Sequence, residues 1–353
     1  AYAQASTLHW LRWNDFIPTS DKLLRETLLP EAERALGIKF NFETVNANDL
    51  QPRLSAAIQS GSGPDVVMLT NNHPHLYAEH LADLGDLAED IGKASGGYYE
   101  VSKGNCHSGK TWIAIPSAFI GVMIAYRKSW FSEVGYDKFP ETWEQYRDAG
   151  KKLKAKNRPI GQSLGQSFGD PQTFVYPLLW SFGGKEVEAD GVTVAINSKE
   201  TIESLKFMTA FWKKAHDETG LAWDDSSNNR AFLTGGISAT LNGASIYIEA
   251  TRKQDQFRTE RGAQLRTDIQ HAPLPRGPGG QFGFHTFHSH VVPAYSKNTS
   301  AAKTFLRWLH EPSNYERWFA ESRGFYSAPT RDWELRTMPN ADPVMEPFRL
   351  AGR

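Results

Sequence analysis

Three short apolar segments near the start of the chain, separated by amphipathic stretches, leave few folds open. Leu8-His9-Trp10-Leu11-Arg12-Trp13 alternates in polarity and reads as a strand, broken by Asn14-Asp15-Phe16-Ile17-Pro18. Asp21 to Leu36 has helical spacing, with Gly37 as its stop. Ile38, Phe40, Phe42 and Thr44 then alternate with Lys39, Asn41 and Glu43, the mark of a half-buried strand. Leu50, Leu54 and Ile58 fall on one helix face, and Gly61-Ser62-Gly63-Pro64 ends it. Asp65 leads into Val66-Val67-Met68-Leu69, a run suited to a strand covered on both faces. Strands alternating with helices in this way imply an α/β fold built on a sheet.

The rest of the chain carries weaker signals. Lys110 to Ile115 and Gly121 to Tyr126 read as strands. Thr142 and Gln145, Asn197 and Glu200, and Ser313 and Glu316 each have capping-box spacing ahead of apolar helix positions. Pro273 to Gly283 is the clearest loop, and the tail from Asp332 to Arg353 has little pattern. At roughly 150 residues per domain, 353 residues imply two domains.

Charge and cysteine usage exclude several classes. Lys plus Arg number 39 against 40 Asp plus Glu, so the chain lacks the basic excess that nucleic acid or an anionic membrane demands. No run of about 18 apolar residues occurs, so nothing reads as a membrane span. One cysteine, Cys106, cannot form an internal disulfide or a Cys-rich zinc site. Ala1-Tyr2-Ala3 fits the A-x-A stub left by a removed signal peptide, or a plain leader. No phosphate-binding loop and no H-E-x-x-H motif is present, and the reading calls for no cofactor and no metal.

Four features could carry chemistry. Gly161 to Gly165 and Gly165 to Gly169 both match G-x-S-x-G, the pattern of a hydrolase nucleophile elbow. The residues before them, Lys154 to Pro159, are polar where an elbow needs an apolar strand, which favours a small-residue loop that lets backbone approach a ligand. His285, His288 and His290 cluster, and on a strand His288 and His290 share a face; a metal site, a hydrogen bond to a polar ligand and plain packing all stay open. Asp65, Asp170, Glu249 and many other acids are available for glycoside hydrolysis, but no pair stands out. Eleven tryptophans are a high count, and an aromatic face suits the C–H face of a sugar ring. Those at strand ends followed by polar loops, Trp13 first, are the ones placed where α/β sheets bind ligands.

Four segments in order resemble the extracellular solute-binding proteins of bacterial ABC importers, the family that includes the maltose-binding protein. They are Ser60-Gly61-Ser62-Gly63-Pro64-Asp65-Val66-Val67-Met68; Gly109 through Ile115-Pro116 and Ala125-Tyr126-Arg127-Lys128 to Pro140-Glu141-Thr142-Trp143; Ala231-Phe232 through Gly235 to Asn242-Gly243; and Pro273-Leu274-Pro275 through Ser296-Lys297-Asn298 to Phe305-Leu306-Trp308-Leu309. The sequence departs from the pattern at Ile237-Ser238, where the family often has Lys-Ala, and at Ala244-Ser245, where a Trp is common.

The resemblance implies a type II periplasmic binding protein fold, with two α/β lobes joined by a hinge and a ligand cleft between them. It places the first lobe at residues 1–115 and 262–310 and the second at 116–261 and 311–353. It implies no catalysis: a monomer, outside the cytoplasmic membrane, captures a sugar, polyol or related polar small molecule by lobe closure and delivers it to the transmembrane permease subunits of the importer. The ligand contacts implied are Trp13 as the stacking ring with Asn14 and Asp15 beside it; Asn71 and Asn72 after the Val66–Leu69 strand; Phe119 after Pro116; Asp170 and Gln172 in the loop before Trp180; Asn242 in the third segment; His288 before the last crossing; and Tyr326 in Gly324-Phe325-Tyr326. Two other readings remain: a secreted serine hydrolase using Ser163 or Ser167, and capture of a charged ligand, a polyamine or a phosphorylated polyol, by the same fold.

Overall fold

A computed structural model describes residues 7–330, 332 and 342–349. Ten strands are described: β1 (Thr7–Trp13), β2 (Lys39–Val45), β3 (Val66–Thr70), β4 (His107–Ser108), β5 (Thr111–Trp112), β6 (Ile115–Gly121), β7 (Met123–Arg127), β8 (Ala239–Asn242), β9 (Ile269–Ala272) and β10 (His285–Val291). Contacts divide them into two compact units. Among described residues, the first runs up to Ile120 and resumes from Thr286 to Asp332; the second comprises Gly121–His285 and Asp342–Phe348. No described helix is long and apolar enough to cross a membrane.

In the first unit the sheet order is β2-β1-β3-β10-β6. β1 runs parallel to β2 and β3, and β10 runs antiparallel to β3. Every residue of β3 is buried, as its unbroken apolar run requires, whereas β2 alternates between exposed and half-buried at its start. Gly37 and Gly61 end their helices in the left-handed region, at φ 67° and 69°. Asn71 takes the same region after β3, at φ 51°, where a short amide side chain is tolerated. Its N–H donates to the Phe287 carbonyl, and its Oδ1 accepts from the Phe287 N–H, so it ties β3 to β10.

The second unit holds the antiparallel sheet β8-β7-β9. Its helices close over an aromatic core of Phe131, Trp143, Tyr146, Phe174 and Phe211, all buried. The Thr142–Gln145 capping box forms as its spacing implies. The other two do not. Ser198, not Asn197, caps its helix by accepting from the Thr201 N–H. Pro312, whose φ is fixed for a first helical turn, starts its helix one residue ahead of Ser313. The Lys110–Ile115 strand is also cut short, because Gly109 (φ 63°) turns the chain into the small β4–β5 hairpin.

The unit boundaries differ from those the sequence implied, and residues 116–120 stay with the first unit. Residues 262–285 join the second unit because β9 pairs with β7 and Asp268 is gripped by Arg127. Described residues after 310, up to Asp332, join the first: Tyr326 hydroxyl donates to Asp15, and the Ser327 backbone pairs with Phe119. The tail is split as well, since Asp342–Phe348 packs in the second unit with Phe348 buried; most of the remaining tail lies outside the described residues.

Arg127 is only 1% exposed, and its guanidinium donates to Asp268 at 2.7 Å and Glu260 at 2.8 Å. Asp268 also accepts from the Ser129 N–H and hydroxyl, both at 2.7 Å. Removing Asp268 leaves the buried Arg127 charge with only the part-exposed Glu260 and strips the Ser129 donors of their acceptor. Asp268→Ala is expected to destabilise the second unit by about 3–5 kcal/mol, read as a lowered denaturation midpoint. A midpoint shift as small as that of a surface substitution would show that the pair does not hold β9 in place.

Candidate functional site

Because β1, β2 and β3 are parallel, their carboxyl ends share one edge of the first sheet, where α/β sheets commonly bind ligands. β10 meets the same edge, with His288 opposite Thr70. Trp13, Asn14, Asp15, Asn71, Asn72 and His288 are therefore brought together at one edge.

At that edge Trp13 Nε1 donates to the Tyr326 hydroxyl at 3.3 Å, and that hydroxyl donates to Asp15 Oδ2 at 2.8 Å. Asp15 Oδ1 accepts from the Ile17 N–H at 2.8 Å, and Arg12 lies 3.6 Å from Asp15. Burial pushes the Asp15 carboxyl up to about 6, against the pull of Arg12. Burial, reinforced by Arg12, keeps His288 neutral. Asn14 and Asn72 are exposed and Asn71 is half-buried.

Trp13, Phe119 and Tyr326 are each at most 1% exposed, so in this structure they serve as packing and show no open face. The Trp13 ring meets Phe16 and His288 edge to face, at 5.3 Å and 4.4 Å. Phe16, which the sequence reading passed over, is 39% exposed and offers the open aromatic surface here. Its signal was its place directly after the Trp13-Asn14-Asp15 strand end.

Beneath this edge, Trp10, Arg12, Met68, Ser117, His288, His290 and Trp318 line a cavity with about 20 Å³ of room for the centre of a water molecule. That space is too small for a sugar ring. The two histidines share a strand face as their spacing implied. Among the described residues, no three His, Cys, Asp or Glu side chains converge to hold a metal ion.

The second unit gathers Asp170 and Asn242 on a single short helix, Ser227–Leu233. Asp170 Oδ2 accepts from Asn228 Nδ2 at 2.7 Å, and Asn242 Nδ2 donates to Asn229 Oδ1 at 2.6 Å. Asn242 and Asn229 both donate to the Ser245 hydroxyl, at 3.1 Å and 2.9 Å. Asp225 accepts from the Asp170 N–H at 3.1 Å and the Ser167 hydroxyl at 2.8 Å. Burial, then repulsion from Asp225, pushes the Asp170 carboxyl well up, and burial raises Asp225 too.

Sequence reasoning missed Asp225, Asn228 and Asn229, which lie over 50 residues from Asp170 with no spacing to link them. Asp170 and Gln172 sit in the first turn of the helix Asp170–Ser181 and not in a loop; Gln172 is exposed and accepts from the Gly169 N–H. His288 lies in the first unit, just after the passage from the second unit at His285–Thr286 and ahead of the return to it at Asp342. Ser163 is fully buried and donates to the Asp224 carbonyl at 2.7 Å, which ties it to backbone.

The raised Asp15 value has a definite sign. Its folded-state pKa lies above the usual 3.8, so its contribution to stability is full below about pH 4 and is lost as pH rises through about 6. Relative to Asp15→Asn, the wild type is expected to lose up to about 3 kcal/mol across that window, read from paired thermal melts. A wild type that gains on the variant with rising pH would show that Arg12 outweighs burial.

The chain was compared with known proteins. A family model described as bacterial extracellular solute-binding protein matches residues 19–316. A probable ABC transporter-binding protein of Deinococcus radiodurans is 22% identical over 259 residues, which span 70% of this chain and 58% of that relative's length. Among solved structures, a Thermotoga lettingae solute-binding protein bound with α-D-tagatose aligns with TM-score 0.79 and 19% identity, over 97% of this chain and 86% of the other. An Agrobacterium radiobacter solute-binding protein in complex with ribitol gives TM-score 0.78 and 19% identity, over 99% and 87%. Maltose-bound MalE3 of T. maritima gives 0.77 and 19%, over 98% and 86%. The fold is thus that of these two-lobed binding proteins, and the chain belongs to the bacterial extracellular solute-binding proteins.

Proposed function

We propose that this chain is the solute-capturing component of an ABC importer, taking up a neutral, hydroxyl-rich small molecule, a sugar or polyol, and handing it to a membrane permease. The observation that carries the reading is the carboxylate–amide cluster of Asp170, Asp225, Asn228, Asn229 and Asn242. Acids and amides both accept from hydroxyls, and amides also donate to them. The charges that act on Asp170 are those of Asp225 and Asp224, and although Arg230 lies 3.7 Å from Asp224 the carboxylates outnumber it, which disfavours phosphate. Family membership and the ligands of the similar structures, tagatose, ribitol and maltose, support the same class.

The protein works without catalysis, outside the cytoplasmic membrane, as a monomer. The hydrolase reading has little support, because Ser163 is tied to a backbone carbonyl and Ser167 to a carboxylate. A second reading is favoured by one observation: a buried carboxylate, Asp170, beside a half-buried one, Asp225, also suits a protonated amine.

A thermal-shift panel of neutral sugars, polyols, polyamines and sugar phosphates tests both. A sugar or polyol at 100 times its dissociation constant is expected to stabilise the protein by about 2.7 kcal/mol, and Asn242→Ala to weaken that binding by at least about tenfold. Stabilisation by polyamines alone would select the second reading, and ester turnover abolished in Ser167→Ala would select the hydrolase.

A further inference from the structure

The small cavity in the first unit gathers more unsatisfied polar chemistry than packing explains. Among the described residues, five buried nitrogens there lack a hydrogen-bond partner: Trp10 Nε1, Arg12 Nε, His288 Nε2, His290 Nε2 and Trp318 Nε1. All five belong to side chains that line the cavity. Folded proteins leave few such groups bare, because each has given up its hydration.

Their chemistry has one sign. Indole and guanidinium N–H groups donate and never accept. A neutral imidazole places its single proton on either nitrogen, as its other partner directs. Ser117 Oγ lies 2.6 Å from His290 Nδ1, and a hydroxyl that donates to Nδ1 puts the His290 proton on Nε2. Three groups lining the cavity are thus fixed donors, and the imidazoles can join them.

Arg12 supplies the charge. It is 3% exposed, and its guanidinium carbon lies 5.4 and 5.5 Å from the Trp10 and Trp318 ring centroids. Asp15 and Asp21 stand 3.6 and 3.9 Å from its terminal nitrogens, beyond hydrogen-bond length, and neither lines the cavity. Burial holds both imidazoles neutral, and the Arg12 charge, felt at each of them, adds to that. Leu24 and Leu309 complete the wall with apolar surface, where hydrogen bonds to a charge gain strength.

We propose that this cavity is a binding site for one halide ion, chloride in solution, held by the N–H groups of Trp10, Arg12 and Trp318. The room, about 20 Å³ for the centre of a water-sized guest, admits one monatomic ion and excludes phosphate and sulfate. A water molecule has two protons of its own to place, whereas a halide accepts on every side, as three fixed donors require. The ion ties β1, through Trp10 and Arg12, to the helix Pro312–Glu321, through Trp318. His288 lines the same cavity and meets Trp13 edge to face, so occupancy also steadies the end of β1.

The test uses the full chain. Thermal melts in sodium chloride and in sodium gluconate, at matched ionic strength, are compared for the wild type, Trp318→Phe and Trp10→Phe. Phenylalanine keeps an aromatic ring and removes the N–H. The readout is the chloride-minus-gluconate difference within each variant, so a lowered baseline does not confound it. A wild-type crystal grown in bromide locates the ion by its anomalous scattering. The expected result is a saturable, chloride-specific rise in Tm, with half-saturation about tenfold higher in Trp318→Phe, and a bromide peak within the cavity. Identical wild-type melts in the two salts overturn the proposal, as does a cavity that holds water and no bromide. A bromide peak without a chloride-specific rise marks an adventitious ion only and overturns it too. A chloride-specific rise undiminished in both variants places the ion elsewhere and does the same.

Discussion

Desolvation of carboxylates sets the terms for both units. A carboxyl group taken out of water loses several kcal/mol unless donors replace the lost hydration, and this chain buries Asp15, Asp170 and Asp268. Asp268 is fully met, by Arg127 and by Ser129, and accordingly acts as a structural pin between β7 and β9. Asp15 is met by Tyr326, the Ile17 N–H and the nearby Arg12, and holds the end of β1. Asp170 is compensated less completely: one amide donates to it while two further carboxylates repel it. A group kept in this state is favoured by a partner that brings donors, and a polyhydroxylated solute brings many.

The amide groups extend the same chemistry. Asn228 and Asn229 are consecutive on one helix yet face different partners, Asp170 and Asn242, so one short element sets the spacing of the whole cluster. The half-exposed rings of Tyr176 and Trp180 lie on the helix that Asp170 begins. Three solved structures that share the fold hold maltose, tagatose and ribitol.

Much of the first sheet was legible because its signals are local. The apolar run at Val66–Leu69 declares a strand buried on both faces, and glycines at 37 and 61 mark helix ends. The unit boundaries were not legible, because they depend on pairings such as Tyr126 with Gln270, whose partners are far apart in sequence and leave no periodic trace. The candidate site was partly legible for the same reason. Residue type and strand-end position pointed to Trp13, Asn14 and Asp15, but only packing shows that the Trp13 ring is enclosed and the Phe16 ring open. Asp225 became visible only once its carboxylate was seen to accept from the Asp170 backbone.

A crystal structure with the neutral sugar or polyol that binds most tightly is the most direct measurement. Solute hydroxyls within hydrogen-bond distance of Asp170, Asp225, Asn229 or Asn242 are the expected result. A bound solute touching none of these side chains, with the carboxylates still meeting only protein donors, would contradict the view that incompletely compensated acids and amides select the ligand.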